Sequence, residues 1–449
     1  MGSHRSLLLW SLLAFGTTSL QASLVFAQVG VPRPERPDRG MYRSGTQETS
    51  DLLEVNGTAG AGWDNNILLD LPGNTDPRNA TGESGSILNG GGGISYSRTR
   101  RKASFTASEG SSNRLYPGQT IDHIFGHNAS IAAGLTFNDR TRLSASEVVS
   151  YQPYTFASSL FPQSLDPNLQ LMPVQGPALE LAANATQYLQ YTSSVLFNRK
   201  VSRRTDFYAG YNFSQGDTAY GNGRFTNQGV NAGLRWSLTR NLGLRTGYGY
   251  QAARWDGDAR NLGYHNLDVG LDYNRALSFS RRTTLTFGTG TTALNDGQTT
   301  SYHATGHAQL NHEMGRTWQA TISYDRAFQF VETLLEPVFY DSASAGVGGL
   351  VNRRVRVQTG ARASLGKMVA GRQRVDNDFD TYQGIATVAI ALTRYFDLGV
   401  DYTIYRYRFG SGAVLPIGVP QDVERQSISA HIDVWAPLYS RARRNNASR

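Results

Sequence analysis

Strict alternation of apolar and polar residues is the feature that most constrains this chain. In the stretch from Gly233 to Tyr250, Leu234, Trp236 and Leu238 alternate with Arg235, Ser237 and Thr239. A polar turn, Thr239-Arg240-Asn241, follows. Leu242, Leu244, Thr246, Tyr248 and Tyr250 then alternate with Gly243, Arg245, Gly247 and Gly249. Successive side chains of a strand point to opposite faces, so a period of two means a strand with one apolar and one polar face. The unit recurs to the end of the chain, with a tight turn at one end and a long connection at the other. That asymmetry implies an all-β, transmembrane, antiparallel up-and-down β-barrel, with hydrocarbon outside and water inside. A soluble two-sheet sandwich would leave the strict separation of short and long connections unexplained.

Composition fits a barrel. Only 39% of the 449 residues are apolar, yet there are 48 Gly, 23 Tyr and 19 Phe. A helical membrane protein needs apolar runs of about 18 residues or more, and none occurs after the first 27 residues. A barrel needs none, because only every second residue meets lipid. The absence of Cys excludes disulfides and thiolate metal sites. The net charge of +8 would raise nucleic-acid binding in a soluble protein. Here many of the arginines sit in the tight turns, so no nucleic-acid partner is expected.

The ends of the chain differ from its body. Residues 1–27 read as a signal peptide: His4 and Arg5 precede an apolar core from Leu7 to Phe15, and Val25-Phe26-Ala27 supplies small residues at a cleavage site. Residues 28–53 read as a periplasmic linker, with Pro32, Pro34 and Pro37 among charged residues. The barrel is expected over 54–436 and a basic periplasmic tail over 437–449. Alternation gives about 18 strands, with 16 as the alternative, and an even number suits a single-chain bacterial barrel. The tight turns carry Arg almost throughout, as in Asn138-Asp139-Arg140-Thr141, Asn352-Arg353-Arg354 and Thr393-Arg394-Tyr395. Such turns face the periplasm in this architecture and the long loops face outward. The longest loop, 152–186, holds five prolines amid Leu and Phe. It is either packed at the rim or folded inward as a constriction.

Alternation also sorts side chains by face. Phe207, Trp236, Leu267, Val269, Trp318, Tyr324, Leu398, Ile428 and Ile432 fall in the outward phase, and Glu147 and Arg275 break it. The expected lumen-lining residues are Arg235, Arg245, Asp268, Asp272, His303, His307, Asp325, Arg356, Arg362, Asp397, Asp401, His431 and Asp433. Arg facing lipid at the midplane would cost roughly 2–4 kcal/mol, so these positions make sense around water or around partners of opposite charge. They can line a selective channel or close it with a salt-bridged network.

No enzyme, metal or cofactor is expected. His303 and His307 have a helical metal spacing, but on a strand they lie about 13 Å apart, too far to share an ion. Asn89 to Gly93 is glycine-rich without the Lys of a phosphate loop. A hydrolase could place Ser and His outward near a rim, with His265 or His303 as candidates, but nothing in the spacing selects such a set.

The segment Gly60-Ala61-Gly62-Trp63-Asp64-Asn65-Asn66-Ile67 resembles the opening strand of outer-membrane β-barrel proteins linked to exopolysaccharide and exosortase loci. The repeats Leu238–Asn241 and Leu392–Tyr395 are also similar to theirs. The resemblance implies a pore or polysaccharide exit in the cell outer membrane, or a structural barrel beside one. The expected partners are outer-membrane lipid, the barrel assembly machinery and polar solutes or polysaccharide. A departure lies at the C-terminus. Barrels usually end on an aromatic read by that machinery, whereas here Ala436 to Arg449 follows Trp435, so Trp435 or Tyr439 would have to serve. The function expected is passive diffusion or export of polar solutes. The alternative is a non-conducting scaffold or adhesin acting through loops 64–85, 152–186 and 408–423.

Overall fold

The computed structural model describes residues 49–67, 84–118, 123–154, 184–217, 224–255, 261–277, 280–295, 300–330, 337–368, 378–411 and 421–442. The signal segment, most of the linker and the middle of loop 152–186 lie outside them. The described residues form β1 (Thr49–Asp64), β2 (Gly85–Thr99), β3 (Ala103–Leu115), β4 (His123–Asn138), β5 (Thr141–Tyr154), β6 (Asn184–Lys200), β7 (Thr205–Asp217), β8 (Arg224–Ser237) and β9 (Leu242–Trp255). The second half comprises β10 (Asn261–Leu277), β11 (Ser280–Asn295), β12 (Thr300–Met314), β13 (Trp318–Phe330), β14 (Pro337–Leu350), β15 (Val355–Met368), β16 (Asp378–Ala391), β17 (Phe396–Phe409) and β18 (Asp422–Ala442). Each strand pairs antiparallel with its chain neighbours, and β18 pairs back on β1. The result is a closed 18-stranded barrel.

Several of the tight turns share one chemistry. In them a polar side chain accepts hydrogen bonds from backbone N–H groups two or three residues on. Thr239 Oγ1 accepts from Asn241 and Leu242 at 3.2 and 3.0 Å. Asn352 Oδ1 accepts from Arg354 and Val355 at 2.8 and 3.0 Å. Thr393 Oγ1 accepts from Tyr395 and Phe396, both at 3.1 Å. Asn and Thr therefore set the turn, because their short oxygen-bearing side chains mimic a backbone carbonyl. The arginines between them, such as Arg240, Arg353 and Arg394, are exposed and are not needed to hold it.

Closure falls on the β1–β18 seam. Its register runs from Thr49↔Ala442 to Asp64↔Ser427. The ladder is longer than alternation implied: residues 49–53, expected in the linker, and 437–442, expected in the tail, are paired strand. Alternation misses them because Pro437 interrupts the period. Leu53 pairs with Tyr439 and Glu54 with Pro437, so Leu438 is an extra residue on one strand. A bulge there accommodates a proline that lacks an N–H. Beyond it Tyr439 is exposed, whereas Trp435 points inward and is buried. Trp435 Nε1 donates to Glu54 Oε2 at 2.8 Å.

At the opposite end of the seam Asp64 and Arg425 are almost wholly buried, with Arg425 Nη2 2.6 Å from Asp64 Oδ2. Arg425 Nε donates to the same oxygen at 2.6 Å, and Asp64 Oδ1 accepts from the Asn66 backbone N–H at 2.9 Å. Asn65 Oδ1 accepts from Gln426 N at 2.7 Å, and Ile67 enters a buried cluster with Ile87, Tyr116 and Ile124. The segment Trp63–Ile67 thus latches the first strand to the last. Removing one partner of a buried pair costs about 3–5 kcal/mol. Arg425→Met should lower the stability of the refolded barrel by that order in urea titration. The double variant Asp64→Leu/Arg425→Met should recover much of the loss.

Candidate functional site

The outer surface is set by the exposed phase. Trp236, Leu267, Val269, Ile322, Leu398, Val400, Ile428 and Ile432 are all exposed large apolar side chains. Aromatics gather at two levels: Phe137, Trp236 and Phe396 near the tight turns, and Tyr191, Tyr248, Tyr324, Tyr382 and Tyr402 further along the strands. An apolar band between aromatic girdles is the exterior a bilayer calls for.

Beyond the second girdle, polarity inverts without a change of phase. On β16–β18 the outward residues become charged and pair across strands, with Arg406 Nη2 3.2 Å from Asp422 Oδ2 and Arg408 Nε 3.0 Å from Asp380 Oδ1. The inward residues become apolar: Phe379, Tyr405, Tyr407, Phe409 and Val423 are buried. The Phe379 and Phe409 rings lie 5.9 Å apart and those of Tyr407 and Phe409 5.5 Å. Water outside and packed rings inside mark a barrel wall that rises past the membrane.

Within the band the inner face is polar. Arg235, Arg245, Asp268 and Asp272 lie on the inner phase of β8, β9 and β10 and make one network. Arg235 Nη2 is 2.7 Å from Asp272 Oδ2, and Arg245 Nη1 is 2.8 Å from Asp272 Oδ1. Arg245 Nε contacts Asp268, and its Nη2 donates to Asp268 Oδ1 at 3.0 Å and to the Thr289 carbonyl at 3.2 Å. That last bond crosses β10 at a gap in its ladder with β11, whose register jumps between His265 and Asp272. The guanidinium crosses at Gly270, which pairs with Arg245. A Cβ on Gly270 would run into the Thr289 carbonyl. On β7, Tyr208 lies over Gly233 and Gly247, where a Cβ would strike its hydroxyl. The ring therefore lies along the wall.

A second network sits on β16–β18. His431 Nδ1 is 3.1 Å from Asp401 Oδ2, and His431 Nε2 is 3.5 Å from Asp433 Oδ2. Thr387 Oγ1 donates to Asp401 Oδ1 at 2.7 Å. Asp397, the register partner of Asp433, is buried. Arg356 pairs with Ala389, which pairs with Gly399, so Arg356 lies between the levels of Asp397 and Asp401 two strands away. Arg362 is level with Tyr405 instead. It belongs with Asp325, from which it is separated by β14 serines Ser342 and Ser344. His307 pairs with Asp325 in the β12–β13 register, whereas His303 stacks on Phe339 with centroids 4.9 Å apart. No group of three or more metal-ligating side chains occurs among the described residues.

Alternation alone did not single out Tyr208, Thr387, Asp64 or Arg425. All four lie on the inner phase, and only register shows which charges they meet. The side chains of 152–188 lie outside the described residues.

No family model matches this chain, and no curated protein matches it. Among solved structures it is similar to Pseudomonas aeruginosa OccK2 (OpdF) in complex with glucuronate, at 9% identity and a TM-score of 0.45 over 87% of this chain and 98% of that one. It is also similar to Pseudomonas aeruginosa OpdQ, at 10% identity and 0.42 over 87% and 98%. A third is the siderophore receptor PirA of the same organism, at 10% and 0.43 over 87% and 81%. At such values the barrel assignment stands on this chain's own ladders.

The Gly270 crossing can be tested directly. Overpacking typically costs about 1–3 kcal/mol, so Gly270→Ala should lower the urea midpoint of the refolded barrel. Val269→Ala, one residue away on the exposed face, should change it far less.

Proposed function

We propose that this chain is an outer-membrane pore for passive diffusion or export of polar solutes. One observation carries the reading: among the described residues the ion pairs of Arg235, Arg245 and His431 run along the inner wall, between strands at most two apart. Charges paired around the circumference leave the centre free. For 18 strands spaced about 4.8 Å and tilted about 40°, the backbone ring is roughly 36 Å across. Barrels of this size leave an aqueous channel once side chains are in place. Mixed acidic and basic lining suits neutral or zwitterionic polar solutes better than either ion class alone. Association with polysaccharide export is part of the proposal and rests on the resemblance of Gly60–Ile67. Recognition by the barrel assembly machinery falls to Tyr439, which the Pro437 bulge leaves on the exposed face.

The inward aromatic ledge of Phe379, Tyr405, Tyr407 and Phe409 favours a second reading, a non-conducting scaffold whose outer end is filled. Planar-bilayer recording of the refolded protein separates the two. The pore reading expects stepwise conductance. It further expects the Arg235→Gln/Arg245→Gln double variant to shift the reversal potential in a salt gradient toward cation preference, since Asp268 and Asp272 would lose their cations. A folded protein that gives no steps establishes the scaffold instead.

A further inference from the structure

We propose that Ser111 and His127 form a lipid-facing hydrolytic site that cleaves acyl esters of bilayer lipids. Ser111 Oγ lies 2.7 Å from His127 Nδ1 across the β3–β4 ladder, where the two residues are register partners. Ser111 Oγ also donates to Glu109 Oε1, two residues down β3 on the same face, at 2.9 Å, so the hydroxyl proton has to turn from Glu109 to His127 for the attack. A hydroxyl within reach of an imidazole is the basic arrangement of an activated oxygen nucleophile.

The face they occupy is the outer one. The opposite phase of the same strands, Arg114, Tyr116 and Ile124, is buried inside the barrel. The outward phase carries exposed Phe105, Leu115, Leu135 and Phe137. An acid, a serine and a histidine on a lipid-facing surface are costly, and ionisable groups placed there mark function by default. Their height gives the chemistry. His127 pairs with Tyr151 on β5, and Phe125 lies 5.6 Å from the His127 ring and 5.8 Å from Tyr151, centroid to centroid. The site therefore sits in the aromatic girdle on the long-loop side, where the ester linkages of the outer leaflet lie, rather than among acyl chain ends.

The surroundings can admit such an ester. On β2, Gly92 pairs with Ser111 and Gly90 with Asn113, and a Cβ on Gly90 would meet nothing within 4 Å. The surface beside the hydroxyl is a shallow glycine-floored strip. Asn113 is exposed on the same face two residues above Ser111, and its amide can donate to an oxyanion.

The step balances with water as co-reactant. Ser111 Oγ attacks the ester carbonyl carbon while its proton passes to His127 Nδ1. The carbon–oxygen bond to the glycerol or sugar alcohol breaks, and that oxygen takes the proton from His127. Water then attacks the acyl-serine, giving its proton to His127 and releasing a free fatty acid. The proton returns to Ser111.

The inference rests on the bilayer placement of the proposed pore, but not on conduction. The full barrel would be refolded into vesicles of phosphatidylethanolamine and phosphatidylglycerol, and in a second arm into vesicles carrying lipopolysaccharide. Folding of each variant would be verified by heat-modifiable gel mobility. Fatty-acid release is expected in at least one arm, and the arm names the ester's source. Ser111→Ala and His127→Ala should each reduce it by about 100-fold or more. A fluorophosphonate probe should label Ser111 in the unaltered barrel and fail to label His127→Ala. Absence of release in both arms overturns the site, as does release that survives both substitutions. Loss in Glu109→Gln with retention in His127→Ala overturns the Ser–His pair by assigning the base to Glu109. Conductance measured on the same preparation stands or falls separately.

Discussion

The closed backbone ladder is the interaction on which everything else depends. In hydrocarbon each unpaired N–H or C=O costs several kcal/mol, so a sheet can cross a membrane only if it has no edge. Here the final pairing, β1 with β18, joins residues almost the whole chain apart. It is reinforced at both ends by side chains: Trp435 to Glu54 near the tight turns, and Arg425 to Asp64 near the long loops. A long-range pairing of this kind forms late, because loop-closure entropy must be overcome before its contacts reward it. Placing a buried ion pair and an indole hydrogen bond there fixes the register where a slip would turn every side chain to the wrong face.

Once the ring is closed, one side of each strand is committed to lipid, and the other must solve the problem of charge without a packed core. This chain solves it locally. Arg245 joins two aspartates and a carbonyl exposed by a ladder gap, and His431 bridges two more aspartates. Glycines let these long side chains lie flat: Gly270 under Arg245, and Gly233 and Gly247 under Tyr208. These side chains are held against the wall rather than standing out from it. Above the membrane the requirement reverses, and Tyr405, Tyr407 and Phe409 face inward while Arg406 and Arg408 face water.

The lipid-facing surface is not uniform. β10, β17 and β18 present Leu, Val, Ile and Phe, whereas β2 and β3 set Gly90, Gly92, Glu109, Ser111 and Asn113 among Leu88, Ile94, Phe105 and Leu115. Glu147 on β5 shares this sector. It lies in the outward phase and is buried against its neighbours. Polar and small residues on this side give the barrel a distinct flank, and the Ser111–His127 contact lies within it.

The sequence by itself determined the fold class, a strand number of about 18, and the face that the residues of each regular strand join. These follow from a period of two and from loop lengths, both of which are local properties. The residues expected in the lumen, from Arg235 to Asp433, do lie on the inner phase, and their part in conduction belongs to the proposed function. What only the tertiary structure decided is who meets whom. Arg356 falls at a level between Asp397 and Asp401 whereas Arg362 belongs with Asp325, and among the described residues Ser111 is the serine that faces a histidine. Alternation is blind to register, because sliding a strand by two residues keeps every face and changes every neighbour. The Pro437 bulge escaped for the related reason that an extra residue breaks the period on which the reading relied.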